Sequence, residues 1–279
     1  MSPNFELPAW LEAFRPDDEL YARAYEETPA PLRALLKTAM AFAFHRFGMQ
    51  DDESESSFSC ARAGFSRTEY ARPAAWALAV TGADFASPAR FLAATVPAVL
   101  AGVPRVLVVS ASPFAPPVAA ALELAGLEDS FLMDAEGLAS LYEDLRAFSP
   151  EGRVMLFPGP EGCDAGMKDL LHTAVSDGTA VYRDRGAPRI LSLYKGEGGN
   201  GVPSAAEVEK RLLWMHPDAE LLDAPAPGAG AVFTPEPSAA PCRAPLIAGP
   251  GMEGLWTGPS PEFFRTRALC AQLVQEIPS

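Results

Sequence analysis

Residues 73–113 read "PAAWALAVTGADFASPARFLAATVPAVLAGVPRVLVVSASP", and their pattern decides the fold. Two continuous apolar runs, "AAWALAVT" (74–81) and "RVLVVSAS" (105–112), flank "PARFLAATVPAVLAG" (88–102), which has helical length and spacing and ends on Gly102. A strand with one wet face alternates apolar and polar residues; one that is apolar throughout is buried on both faces, as in a parallel sheet covered by helices. The stretch therefore predicts a strand, helix, strand unit with a right-handed crossover.

Downstream the alternation continues. "FAPPVAAALELAG" (114–126) predicts a helix, "DSFLMD" (129–134) a strand, "AEGLASLYEDL" (135–145) a helix and "RVMLFPG" (153–159) a strand. "KDLLHTAVSDG" (168–178) opens as an amphipathic helix, followed by "AVYRD", "RILSLY", the helix "PSAAEVEKRLLWM" (203–215) and "AELLDA". Sequence rich in Pro and Gly then runs from 224 to 261, before "SPEFFRTRALCAQLVQEI", which predicts a C-terminal helix with Ser260 as N-cap and Pro261 at its first position. Upstream, residues 8–48 read as helical, with Pro29 and Pro31 marking a second helix, and "QDDESESSFS" (50–59) reads as a solvated acidic loop. The expected fold class is α/β, a Rossmann-like doubly wound and mostly parallel sheet with an N-terminal helical segment. The expected units are 1–71, helices and acidic loop; 72–160, a first α/β unit; and 161–279, a second α/β unit with the Pro/Gly-rich region.

Composition bounds the function. With 36 acidic and 22 basic residues the chain carries −14 at pH 7, and no cluster of Lys and Arg offers itself to nucleic acid or an anionic membrane. Cys60, Cys163, Cys242 and Cys270 form no CxxC pair, so the default is buried or inert thiols rather than a zinc knuckle or disulfide framework. "MSPNFELPAW" lacks the basic and apolar regions of a signal peptide, and no uninterrupted apolar stretch is long enough to span a bilayer. A cytoplasmic protein is expected.

Five local features invite a chemical reading. His172, one of three histidines, is a metal ligand, a catalytic base or filler, and only convergent partners would make it one of the first two. His45 lies near the end of an apolar helix and reads as packing or as a helix-terminal charge. "GEGGNG" (196–201) fits G-x-G-x-x-G between a strand and a helix, with Glu220 and Asp223 further on, but Pro203 opens the helix only after the third glycine; the motif reads as a loop before a phosphate cradle. Cys163 follows a strand in "GPEGCDAG", where Glu161 and Asp164 oppose thiolate formation and favour an inert thiol over a nucleophile. Asp134 and Glu136 suit a helix start.

The run 73–113, "AAALELAGLEDSFLMDAEGLASLY" (119–142), "LFPGP", "DLLHTAVSDGTAVY", "GAGAVF" (228–233) and "LIAGPGMEGLWTGPSPEFF" (246–264) together resemble the zinc-containing, NAD-dependent histidinol dehydrogenases over roughly residues 72–275. The resemblance implies an aldehyde-dehydrogenase-like architecture, zinc holding the substrate and a Glu-His pair moving protons. Laid residue by residue, the family's zinc ligands fall on Thr173, Ser176 and Pro245, with His172 at an unconstrained position, and a last His ligand lies beyond Ser279. Zinc needs three or four N, S or O donors, so zinc is not expected and His172 is left as filler. The Glu-His pair falls on Asp218 and Ala219, with His216 beside them. Of the cofactor loops, Gly82, Gly159 and Pro160 match, while Ala79 replaces a tyrosine.

These positions give the expected site. Asp218, His216 and Cys163 are the catalytic candidates; Gly82, Ser110, Asp134, Gly159 and Pro160 are the cofactor-binding candidates, in a cleft at the carboxyl ends of the strands. NAD is the possible cofactor, and a small molecule or a protein is the expected partner. The leading reading is a histidinol-dehydrogenase-like protein that has lost its chemistry and serves as a binding or structural module. The alternatives are a metal-independent NAD(P) oxidoreductase in the same cleft, or a subunit of a larger complex docked through its N-terminal helices.

Overall fold

A computed structural model describes residues 6–60, 62–199, 202–222, 224–241 and 243–273. The stretch 73–113 forms β3 (Trp76–Thr81), α3 (Pro88–Leu100) and β4 (Val106–Ser110). Behind it come α4 (Pro116–Ala125), β5 (Ser130–Leu132), α5 (Ala135–Phe148), β6 (Gly152–Phe157), α6 (Ala165–Ser176) and β7 (Ala180–Arg183). These strands make one parallel sheet in the order β5-β4-β3-β6-β7. The chain thus steps outward from β3 through β4 to β5, then returns to the far side of β3 with β6, leaving a topological switch point between β3 and β6.

β3 explains why the sheet is doubly covered. Ala77 and Ala79 pack against α3 and α4 together with α1 (Asp18–Glu27) and α2 (Ala30–Phe47), while Trp76, Leu78 and Val80 face α5 and α6. All six residues of β3 are buried. The small side chains on one face let the helices approach, and the large ones on the other fill the space beneath α5. Trp76 lies directly on Gly152, its register partner in β6, where an added Cβ would stand 2.0 Å from the indole.

A second, smaller parallel sheet has the order β11-β10-β8-β9, from β8 (Arg189–Ser192), β9 (Glu220–Leu222), β10 (Ala231–Phe233) and β11 (Leu246–Ala248). It packs against α7 (Ala205–Met215) through Val208 and Leu212. The first sheet runs past residue 160, where a second unit was expected to begin, and ends at Arg183. The doubly wound α/β class expected from the sequence is therefore the class observed.

Two expected elements are corrected. The acidic stretch 50–59, expected as a loop, supplies β1 (Ser54–Cys60), and the expected C-terminal helix is a 3-10 turn, Pro261–Phe264, leading into β12 (Arg265–Leu273). Both pair antiparallel with β2 (Phe65–Pro73), β12 along all nine of its residues, in an arm with the order β1-β2-β12. The apolar residues after Ser260 fit a helical stripe and a strand alternation equally, and backbone pairing with β2 outweighs local propensity. Ser260 makes no side-chain cap. Residues 274–277 of the expected helix lie outside the described residues. Among the described residues no helix is long and apolar enough to cross a membrane.

Candidate functional site

At the switch point the loops after β3 and β6 meet backbone to backbone. Gly82 donates its N–H to the Phe157 carbonyl at 2.9 Å, and a Cβ on Gly159 would lie 1.9 Å from the Ala83 carbonyl oxygen. Only glycine permits this approach at 159. The space that remains open lies on the β7 side, a cleft of about 450 Å³ lined by Pro158, Gly159, Pro160 and Gly162 from one loop and by Arg183, Asp184, Arg185 and Gly186 from the other.

Of the expected cofactor positions, Gly159 and Pro160 line this cleft and Gly82 supports its floor. Ser110 and Asp134 do not line it. Ser110 is buried at the end of β4 and its Oγ accepts from the Ser112 N–H, while Asp134 caps α5 by accepting from the Gly137 N–H at 2.9 Å. The charged groups of the cleft escaped the sequence reading. Arg183 and Arg185 are exposed, and neither guanidinium makes an ion pair or side-chain hydrogen bond among the described residues. The visible signal was "YRDRG", two arginines two residues apart at a strand end in a strongly acidic chain.

Behind the cleft lies a buried charge knot. Arg90, in the first turn of α3 and 1% exposed, donates from Nη1 to Asp184 Oδ2 at 2.6 Å and to the Gly186 carbonyl at 2.7 Å, and from Nη2 to both oxygens of Asp218 at 2.6 and 2.5 Å. Its guanidinium also sits over the Phe85 ring. One residue thereby ties α3 to the loop after β7 and to the loop before β9. Burial raises the Asp184 carboxyl above its ordinary value, and Arg90 opposes that rise. The Tyr182 hydroxyl is pushed up to about 12, first by burial and then by the Asp184 charge, so it stays protonated.

His216, the C-cap of α7, is wholly buried. Ser87 Oγ donates to the Met215 carbonyl at 2.7 Å, which uses its single proton; the contact of 3.2 Å with His216 Nδ1 is therefore a donation from Nδ1–H to Ser87. Nε2 is left as a lone pair without a partner among the described residues, and the ring packs on Trp256 at 4.7 Å between centroids. Burial, followed by the charge of Arg90, lowers the imidazole to about 3. Asp218 and His216 are thus close in chain and space, but one neutralises Arg90 and the other is sealed from solvent.

The remaining candidates are separate. Cys163 is buried in the core with Met167 and Leu170, next to the α6 N-cap Asp164. His172 and His45 are exposed on α6 and α2 respectively. Thr173 spends its hydroxyl proton on the Asp169 carbonyl of its own helix, and among the described residues no group of three or more His, Cys, Asp or Glu can hold a metal ion. In "GEGGNG", Asn200 and Gly201 lie outside the described residues, as do Asp223 and Cys242. Gly199 and Val202 pair as a turn, and the N-terminus of α7 is closed by a capping box between Ser204 and Glu207, which uses the N–H groups a phosphate would need.

No protein-family model and no curated protein sequence matches the chain. Solved structures do. Lactaldehyde dehydrogenase from Escherichia coli is 16% identical with a TM-score of 0.35, and succinate-semialdehyde dehydrogenase from Burkholderia pseudomallei 13% with 0.37; the chain spans 45% and 40% of their respective lengths, with 77% and 70% of the chain covered. Histidinol dehydrogenase from Elizabethkingia anophelis is 9% identical with a TM-score of 0.54, over 93% of this chain and 77% of that one. At that identity the likeness is one of fold, and the chain has a histidinol-dehydrogenase-like fold.

Proposed function

We propose that the chain is a histidinol-dehydrogenase-like protein without the zinc site and the proton-handling pair, acting as a binding module for a phosphate-bearing small anion. The observation that carries this reading is the cleft beside β7, where Arg183 and Arg185, without ion pairs among the described residues, face the glycine loop 158–162. Paired guanidinia suit phosphate oxygens by charge and by fork geometry. The residues present do not fit zinc, because Thr173, Ser176 and Pro245 stand at the family's ligand positions. Nor do they fit the family's proton transfer: Ala219 replaces the histidine, Asp218 is committed to Arg90, and the lone pair of His216 is buried away from solvent.

A metal-independent NAD(P) oxidoreductase in the same cleft is the second reading, favoured by the same arginines at the end of a dehydrogenase-like sheet. Thermal-shift titrations with NAD, NADP and inorganic pyrophosphate test the first reading. A ligand at 100 times its dissociation constant adds about 2.7 kcal/mol to stability, and the expected shift disappears when Arg183 and Arg185 are both changed to Ser. A ligand-induced shift that survives the double change overturns the assignment of the cleft.

A further inference from the structure

The two arginines of the cleft stand on a turn that is held from behind. Asp184 carries the pairing of β7 with β6 one residue further, donating its N–H to the Leu156 carbonyl at 2.8 Å. Side chains alternate along such a strand, so Asp184 turns inward, 4% exposed, while Arg183 and Arg185 on either side of it stay exposed. The inward carboxylate accepts from the backbone N–H groups of Arg185 and Gly186, closing the turn that an aspartate forms with the amides after it. Arg90 locks this turn from the core, since its Nη1 donates both to Asp184 and to the Gly186 carbonyl. Gly186 has φ +80° and an added Cβ would meet nothing within 4 Å, so the glycine is there for its backbone.

We infer that Asp184, keyed by Arg90, is the positioning residue of the anion site, holding Arg183 and Arg185 on one side of a fixed turn so that a phosphate-bearing ligand meets both. This rests on the phosphate-binding reading of the cleft and adds the source of its geometry. Two neighbouring guanidinia repel each other, and on an untied loop they would separate in water. Donors already held in place bind more tightly because the ligand does not have to order them. Charge separates this role from mere proximity. Asp184 is an anion beside an anion site, so on Coulomb grounds its removal strengthens phosphate binding; a positioning role requires the opposite. Asp218 supplies the control, since it pairs with the same guanidinium through Nη2 but sits on the loop before β9, outside the turn.

Calorimetric titration of the full chain with inorganic pyrophosphate tests this on the wild type, Asp184→Ala and Asp218→Ala. Each change takes one carboxylate from Arg90, so both lower the urea midpoint. Only Asp184→Ala is expected to weaken pyrophosphate, by about tenfold, the equivalent of one hydrogen bond to a charged group, and to speed amide exchange at Arg185 and Gly186 in the free protein. Asp184→Asn keeps an acceptor for the two amides and recovers most of the affinity. Gly186→Ala strains the same turn at its positive φ without removing a charge, and weakens pyrophosphate even where Asp184→Ala does not fold. Affinity that is kept or raised in Asp184→Ala or in Gly186→Ala overturns the inference, as does an equal loss in Asp218→Ala. A wild type that does not bind pyrophosphate overturns the phosphate reading of the cleft, and this inference with it.

Discussion

Arg90 is the sole charge in "PARFLAATVPAVL", a stretch otherwise made of apolar residues, Thr and Pro, and its isolation was the one sign in the sequence that α3 carries more than packing. What the sequence could not convey is that Asp184 and Asp218, 94 and 128 residues away, converge on it. Removing one partner from a buried ion pair leaves uncompensated charge and costs about 3–5 kcal/mol. Arg90→Leu is therefore expected to lower the denaturant midpoint by that order, and adding Asp184→Asn and Asp218→Asn to recover part of the loss. His216 makes a separate prediction in pH. Its folded value of about 3 lies below the unfolded value near 6.5, so the unfolded chain takes up a proton first, and this contribution to stability is lost as pH falls from 6.5 toward 3. Within that window the slope attributable to His216 approaches 1.4 kcal/mol per pH unit, one proton's worth. His216→Asn keeps a donor toward Ser87 and cannot ionise, so its stability falls less steeply on acidification than that of the wild type. Equal slopes in paired denaturation series would refute the assignment; Asp184 is common to both proteins and cancels.

At the scale of elements, the sequence was most legible where burial is complete. β3, β4 and β6 are apolar runs with few alternatives, and α3, α4, α5 and α7 appear where the sequence predicts them, with Asp134 at the start of α5, while α6 begins at Ala165 behind an Asp164 cap, upstream of the expected start. Legibility failed in the arm, because a sheet exposed on both faces places little constraint on composition: "SESSFSC" looks like a loop, and "RTRALCAQL" satisfies a helical stripe and a strand alternation alike. Pairing with β2, which is next in the chain for β1 and far away in sequence for β12, makes these segments strands, not local propensity. The packing of β6 on β3 yields a test of the opposite kind. Gly152→Ala forces a methyl into the Trp76 ring, and overpacking of this sort costs about 1–3 kcal/mol. In a Trp76→Leu background the same change is expected to cost less. An undiminished penalty there, measured by urea unfolding, would show that the indole is not what the glycine accommodates.

For the whole molecule, the buried Arg90 ties the loop after the last strand of the first sheet to the loop that leads into β9 of the second, and Arg183 and Arg185, without ion pairs among the described residues, wall the cleft beside it. Gly159 and Pro160 were legible as cleft residues because strand ends at a switch point bind ligands. Arg183 and Arg185 were not, since a strand four residues long hardly fixes where its flanking charges face. The acid and base candidates illustrate the converse: Asp218 and His216 were found by sequence, and the structure places one against Arg90 and buries the other. The function we propose is binding of a phosphate-bearing anion at this cleft without hydride transfer from histidinol. One titration addresses both halves directly. Calorimetric binding of NAD is measured on the wild type and on Arg183→Ser/Arg185→Ser, with histidinol then added to the loaded sample and the absorbance of reduced nicotinamide followed. Saturable binding that the double change abolishes, with no reduced nicotinamide formed, is the result predicted. Steady production of reduced nicotinamide by the wild type would contradict it.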